Sequence, residues 1–109
     1  MGKHGRFFQA AIRETEEEAG VHIRLTGILS VQHSPRHGYD RMRVIFLGEP
    51  IDPNEPPKSI PDKESDRAEW VSLADLATRK LRGSEPQTWF SYVTQGRHVA
   101  PLDMLGPER

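Results

Sequence analysis

The chain has 109 residues, is 35% hydrophobic and 28% charged, and carries a net charge near −1. That length holds one compact domain with a modest core, and the near-balance of 15 Lys and Arg against 16 Asp and Glu points to neither duplex DNA nor a membrane surface. The absence of cysteine excludes a disulfide framework, thiolate catalysis and thiolate-bound zinc, and no apolar run reaches the ~18 residues of a membrane span.

The opening MGKHGRFF lacks the apolar core of a secretion signal, so the expectation is a soluble, cytoplasmic chain. From Phe7 to Ala19 there is neither Pro nor Gly, and Phe8, Ile12, Thr15 and Ala19 recur with the spacing of one helix face. Gly20 is the natural residue to end that helix. VHIRLTGILSVQH then alternates apolar and polar residues, with Gly27 shifting the phase as a bulge does. SPRHGYD, residues 34–40, carries Pro35 and Gly38 and predicts a hairpin connection into the strand RMRVIFLG. Val44, Ile45, Phe46 and Leu47 run without alternation, as in a strand covered on both faces.

Residues 50–65, PIDPNEPPKSIPDKES, hold five of the nine prolines and predict a long stiffened loop, a kind of segment that is usually functional or mobile. RAEWVSL reads as a further strand. Ser72 with Asp75 forms a capping-box pattern opening a helix over LADLATRKL, and Ser84 with Gln87 and Pro86 opens another through TWFSYV. Trp89, Phe90 and Tyr92 on that helix read as core, and the tail APLDMLGPER reads as irregular.

The chemistry concentrates at the end of the first helix. Glu14, Glu17 and Glu18 fall within about 100° of one another on a helical wheel. Their mutual repulsion and their place at the negative end of the helix dipole are both unfavourable, and a bound cation would relieve both. Mg²⁺ suits such a site, since it takes hard oxygen ligands and keeps waters and substrate phosphates in its other positions. The plain alternative is a solvated helix face with Arg13 paired to Glu17 at i+4.

The order of residues favours the cation. Arg13-Glu14-Thr15-Glu16-Glu17-Glu18-Ala19-Gly20-Val21 resembles the second half of the Nudix box, GX5EX7REUXEEXGU with U aliphatic. Arg13, Glu14, Glu17, Glu18, Gly20 and Val21 match, and Thr15 stands at an aliphatic position. The order of elements from about Phe7 onward, with Glu69-Trp70 ahead of a capped helix, is also similar to that family. The first half of the box is missing: Gly5 occupies the place of its Glu, and the residue six places earlier does not exist. The resemblance therefore implies an α+β fold, a Nudix-like α/β/α sandwich with a mixed sheet, present over 1–109 as a single partial domain, N-terminally truncated or completed by another chain. A homo-oligomer or strand-swapped dimer would supply that completion.

The resemblance further implies hydrolysis of the pyrophosphate of a nucleoside diphosphate derivative, with oxidised or unusual nucleotides as the preferred class and Mg²⁺ or Mn²⁺ as cofactor. It implies Glu14, Glu17 and Glu18 as metal ligands, Arg13 as the residue orienting Glu17 or its neighbour, and Glu17 or Glu18 as the base. Glu64, six positions before Trp70, resembles the extra glutamate that some members bring from a distant loop; an exposed carboxylate beside Lys63 is the alternative. In the hairpin loop, Arg36, Tyr39, Arg41 and Arg43 could contact phosphate or stack on a base, or form only a polar tip. The competing functional readings are a non-catalytic Nudix-like module that binds nucleotide or protein, and a helical segment whose acidic face meets a basic partner.

Overall fold

The computed structural model describes residues 5–106 except 64, 66, 80 and 82. In chain order it contains helix α1 (Gly5–Ala19), strands β1 (Ile23–Arg36) and β2 (Tyr39–Pro50), helix α2 (Leu73–Leu76), helix α3 (Glu85–Thr94) and a 3-10 turn at Leu102–Met104. The two strands form an antiparallel hairpin, with α1 against one face and α3 over the other. The α+β class and the helix–sheet–helix layering are those expected. Among the described residues the sheet is this antiparallel pair alone, so the mixed pairing expected of it is not seen.

The face of α1 that turns inward differs from the expected stripe. Phe8 is buried and Ala11, Thr15 and Ala19 are half-buried, whereas Ile12 is exposed. Phe8 sets the direction by meeting the Phe46 ring edge-on, centroids 5.2 Å apart, and the remaining inward positions follow at i+3 and i+7. Thr15 donates its hydroxyl to the Ala11 carbonyl at 2.8 Å. A polar side chain thus sits where the box is aliphatic without needing a second partner.

The hairpin closes through His37 and Gly38, with Arg36 opposite Tyr39. Gly38 has φ +85°, the left-handed angle that the second central residue of a type II turn adopts, and the connection is shorter than the expected seven-residue span. The register slips around Thr26 and again around Leu29, so the bulge read at Gly27 is present. Gly27 has a second reason to lack a side chain: a Cβ there would stand 2.2 Å from Val99 Cγ1. This close approach lets Ile28 and Ala100 exchange two 2.9 Å backbone hydrogen bonds on the outer edge of β1. The tail is therefore partly ordered by the sheet.

Residues 67–72 are not a strand. The local pattern is strand-like, but among the described residues this stretch joins no ladder, its backbone bonds being Ala68 N to Lys58 O and Leu76 N to Ser72 O, each 2.9 Å, and strand residues without a ladder gain little from extension. Ser72 does cap α2, accepting from Asp75 N at 3.1 Å. That helix is one turn instead of nine residues, because Thr78 turns both its amide and its hydroxyl onto the Asp75 carbonyl. At α3 the expected capping box is absent: Ser84 already has helical backbone angles and its side chain makes no cap bond. Among the described residues the buried apolar side chains are Phe8, Val21, Ile28 and Leu76, a small core for the length.

Candidate active site

Between α1 and the hairpin lies an open cleft of about 270 Å³. Glu14 and Glu18, one helical turn apart, stand on its α1 side with Ala11 and Thr15, and Ile23, Leu25, Val44 and Phe46 form the opposite wall. Two carboxylates thus face an apolar strand surface across a space that a small ligand could enter.

The four glutamates of the helix end divide into two kinds. Glu16 meets His22 Nε2 at 3.4 Å, and Glu17 meets Arg13 Nε at 3.8 Å; both have a basic neighbour. Among the described residues, no ion pair or hydrogen bond engages the carboxylates of Glu14 and Glu18, the two that line the cleft. The Arg13–Glu17 contact is the i,i+4 pair read from the sequence. At these exposures it contributes only ~0.3–0.5 kcal/mol.

His22 is the corner between α1 and the loop after β2. Its amide donates to Glu55 Oε1 at 2.6 Å, and its Nδ1 lies 2.8 Å from Glu55 Oε2. The hydrogen bond and charge of Glu55, then the charge of Glu16, hold the His22 pKa above the ordinary imidazole value. Glu55 is correspondingly held below the usual carboxylate range, first by the backbone amide of His22.

The carbonyls at the end of α1 are also occupied. A helix leaves its last four C=O groups without internal partners. Here Gly20 N serves Glu16 O at 2.9 Å, Lys58 Nζ serves Glu17 O at 2.7 Å, Ser65 Oγ serves Glu18 O at 2.6 Å and Lys58 N serves Ala19 O at 2.8 Å. Gly20 adopts φ +72° with Lys58 backbone atoms only 3.1 Å from where its Cβ would be. Glycine is needed twice over, for the left-handed angle and for the approach.

A family model of the NUDIX domain matches residues 4–92, from α1 to within α3. The chain belongs to the Nudix family. No curated protein and no solved structure matches it. Nudix hydrolases generally work with divalent metals, and the donors of this Nudix chain fit a hard cation in chemistry, all being carboxylates. They are not gathered into a preformed cage: among the described residues no group of three or more His, Asp or Glu is close enough to hold a metal. Two carboxylates border the cleft, and an ion such as Mg²⁺ needs only one or two, taking its other oxygens from water and phosphate.

The other residues singled out in the sequence lie apart from the cleft. Tyr39 and Arg41 are exposed near the hairpin tip, and Arg43 is held in a two-pronged pair with Glu85 of α3, 2.7 and 2.6 Å. The Arg36 side chain and Glu64 lie outside the described residues. Trp89 and Phe90 line a second, apolar cleft of about 310 Å³ between α3 and β2, and no residue of α3 is fully buried; they are not the packed core expected. Lys58, Ser65 and the His22–Glu55 clip escaped sequence reading. Each acts across some thirty residues or more, and no local periodicity marks such a contact.

Proposed function

We propose that this Nudix chain is a Mg²⁺-dependent hydrolase of the pyrophosphate linkage in a nucleoside diphosphate derivative, an oxidised or unusual nucleotide being the preferred class. The observation that carries the reading is the division of the helix-end glutamates: Glu16 and Glu17 have basic partners, whereas Glu14 and Glu18, without an ion pair among the described residues, line a cleft of ligand size. In this reading Glu14 and Glu18 hold the cation, with Glu17 and Glu64 as further ligands and Mn²⁺ as an alternative ion. Ser65, the residue after Glu64, bonds to the Glu18 carbonyl, which supports including its neighbour. A cation held by these carboxylates would supply neutralisation of phosphate oxygens and a bound water of lowered pKa. Arg13 keeps Glu17 oriented, and Glu17 or Glu18 takes the proton of the attacking water. Arg36, Tyr39, Arg41 and Arg43 are the proposed contacts to the nucleoside and outer phosphate, with Arg43 shared with Glu85.

The test is product release from a panel of nucleoside diphosphate derivatives with and without Mg²⁺. Glu17→Gln and Glu18→Gln are compared with the wild type, all checked for an unchanged far-UV spectrum. Loss of ~10²–10⁴-fold in kcat from one of the two with metal affinity retained identifies the base; turnover that ignores both substitutions would remove these carboxylates from the mechanism. The uncollected state of the carboxylates favours one second reading, a nucleotide-binding module without catalysis. Saturable nucleotide binding with no turnover under any metal would establish it. The proposal extends to a cytoplasmic location; no described helix is long and apolar enough to cross a membrane. It also extends to association with a second copy, supported by the lack of a described strand partner along the outer edge of β2.

A further inference from the structure

We propose that Lys58 is a positioning residue that fixes the carboxylate-bearing end of α1 from the proline-rich loop; the inference rests on the reading of that helix as the metal-binding element. A helix end crowded with glutamates adds their charge to the negative pole of the dipole, so it is inclined to fray. Lys58 opposes this at two points. Its main-chain N–H takes the Ala19 carbonyl at 2.8 Å. Its ammonium spends its three donors on Glu17 O at 2.7 Å, Asp62 Oδ1 at 2.8 Å and Ser65 Oγ at 3.0 Å.

Ser65 extends the arrangement. It accepts from Lys58 and donates to the Glu18 carbonyl at 2.6 Å. The loop is closed upon itself by Asp62 N to Ser65 O at 3.0 Å, Ser65 N to Asp62 Oδ1 at 3.2 Å and Ala68 N to Lys58 O at 2.9 Å. The carbonyls of Glu17, Glu18 and Ala19 are thus all held by one loop residue or its immediate partner. The Lys58 side chain is only 11% exposed, so water does not readily replace it. The seat of Glu17 and Glu18, and hence the separation of their carboxylates from Glu14, is set by this loop as much as by the helix.

The experiment compares wild type, Lys58→Met, Lys58→Arg and Ser65→Ala with Leu76→Ala, a core control remote from the helix end. Mn²⁺ binding to the metal-free chain is followed by electron paramagnetic resonance, and amide exchange at Gly20 and residue 58 by NMR without metal. Lys58→Met is expected to weaken Mn²⁺ binding by about tenfold to a hundredfold and to speed the two amides by about tenfold relative to α3. Lys58→Arg restores part of both effects, Ser65→Ala gives a smaller loss of the same kind, and Leu76→Ala changes neither selectively. Lys58→Met binding Mn²⁺ as tightly as wild type would overturn the proposal. Failure of wild type to bind Mn²⁺ sinks the metal reading, and with it the functional role of Lys58; exchange then decides whether Lys58 holds the helix end at all.

Discussion

His22 shows how one side chain couples helix α1 to the loop that caps it. Its ring lies between Glu16 of α1 and Glu55 of the proline-rich loop, and the contacts favour the charged forms of His22 and Glu55. His22 has an ordinary value of 6.5 that is raised in the fold, so its contribution is complete below that value and is lost as pH rises through the raised one. Glu55 starts from 4.5 and is lowered, so its contribution is present above 4.5 and is lost as pH falls through the lowered value. The clip is therefore intact in mildly acidic solution and weakens first on the alkaline side. His22→Ala is expected to flatten the dependence of the urea midpoint on pH between about 6 and 8; an unaltered slope would show that the clip does not report on folding. The site is solvent-exposed, so the effect is a change of slope, not a loss of fold.

Among the elements, β1 depends on a residue that has no side chain. The hydrogen bonds between Ile28 and Ala100 require Val99 to pass over Gly27 at a distance no Cβ tolerates. Gly27→Ala should cost about 1–3 kcal/mol through this overpacking, measured by urea unfolding, and should speed exchange of the Ala100 amide. Removing Val99 Cγ1 in a Gly27→Ala/Val99→Ala double variant should recover most of the loss; no recovery would place the cost in the bulge instead. The sequence marked Gly27 as a bulge from its phase shift. It could not mark the second reason, because Val99 is distant in the chain. The helix cap at Ser72 was legible for the opposite reason: donor and acceptor lie three residues apart, within reach of a local pattern.

At the scale of the molecule, the surface is large for the mass. A folded 12.4 kDa chain is expected to expose about 6,100 Å², whereas this one exposes 8640 Å². Its radius of gyration, 15.2 Å, likewise exceeds the ~13 Å of a compact chain of this length. With four buried apolar residues among those described and exposed Val31, Met42, Ile51, Ile60 and Trp70, the surplus is apolar enough to favour association. Sedimentation equilibrium over rising concentration is expected to give a mass above 12.4 kDa, with about 800 Å² or more covered per protomer. A mass that stays monomeric would assign the open surface to the single chain.

By itself the sequence determined what short-range geometry encodes. The spacing of Arg13, Glu14, Glu17 and Glu18, with Gly20 as the stop, identified the helix, its acidic end and the family, because helical neighbours are fixed by chain position alone. The hairpin and the Ser72 cap were legible on the same ground. Only the tertiary structure decided which glutamates turn to the cleft, which are tied to His22 or Arg13, and that Lys58 and Ser65 close the helix. Those outcomes depend on residues brought together from distant parts of the chain, and the reach of a lysine across a turn of loop has no periodicity for a sequence to show.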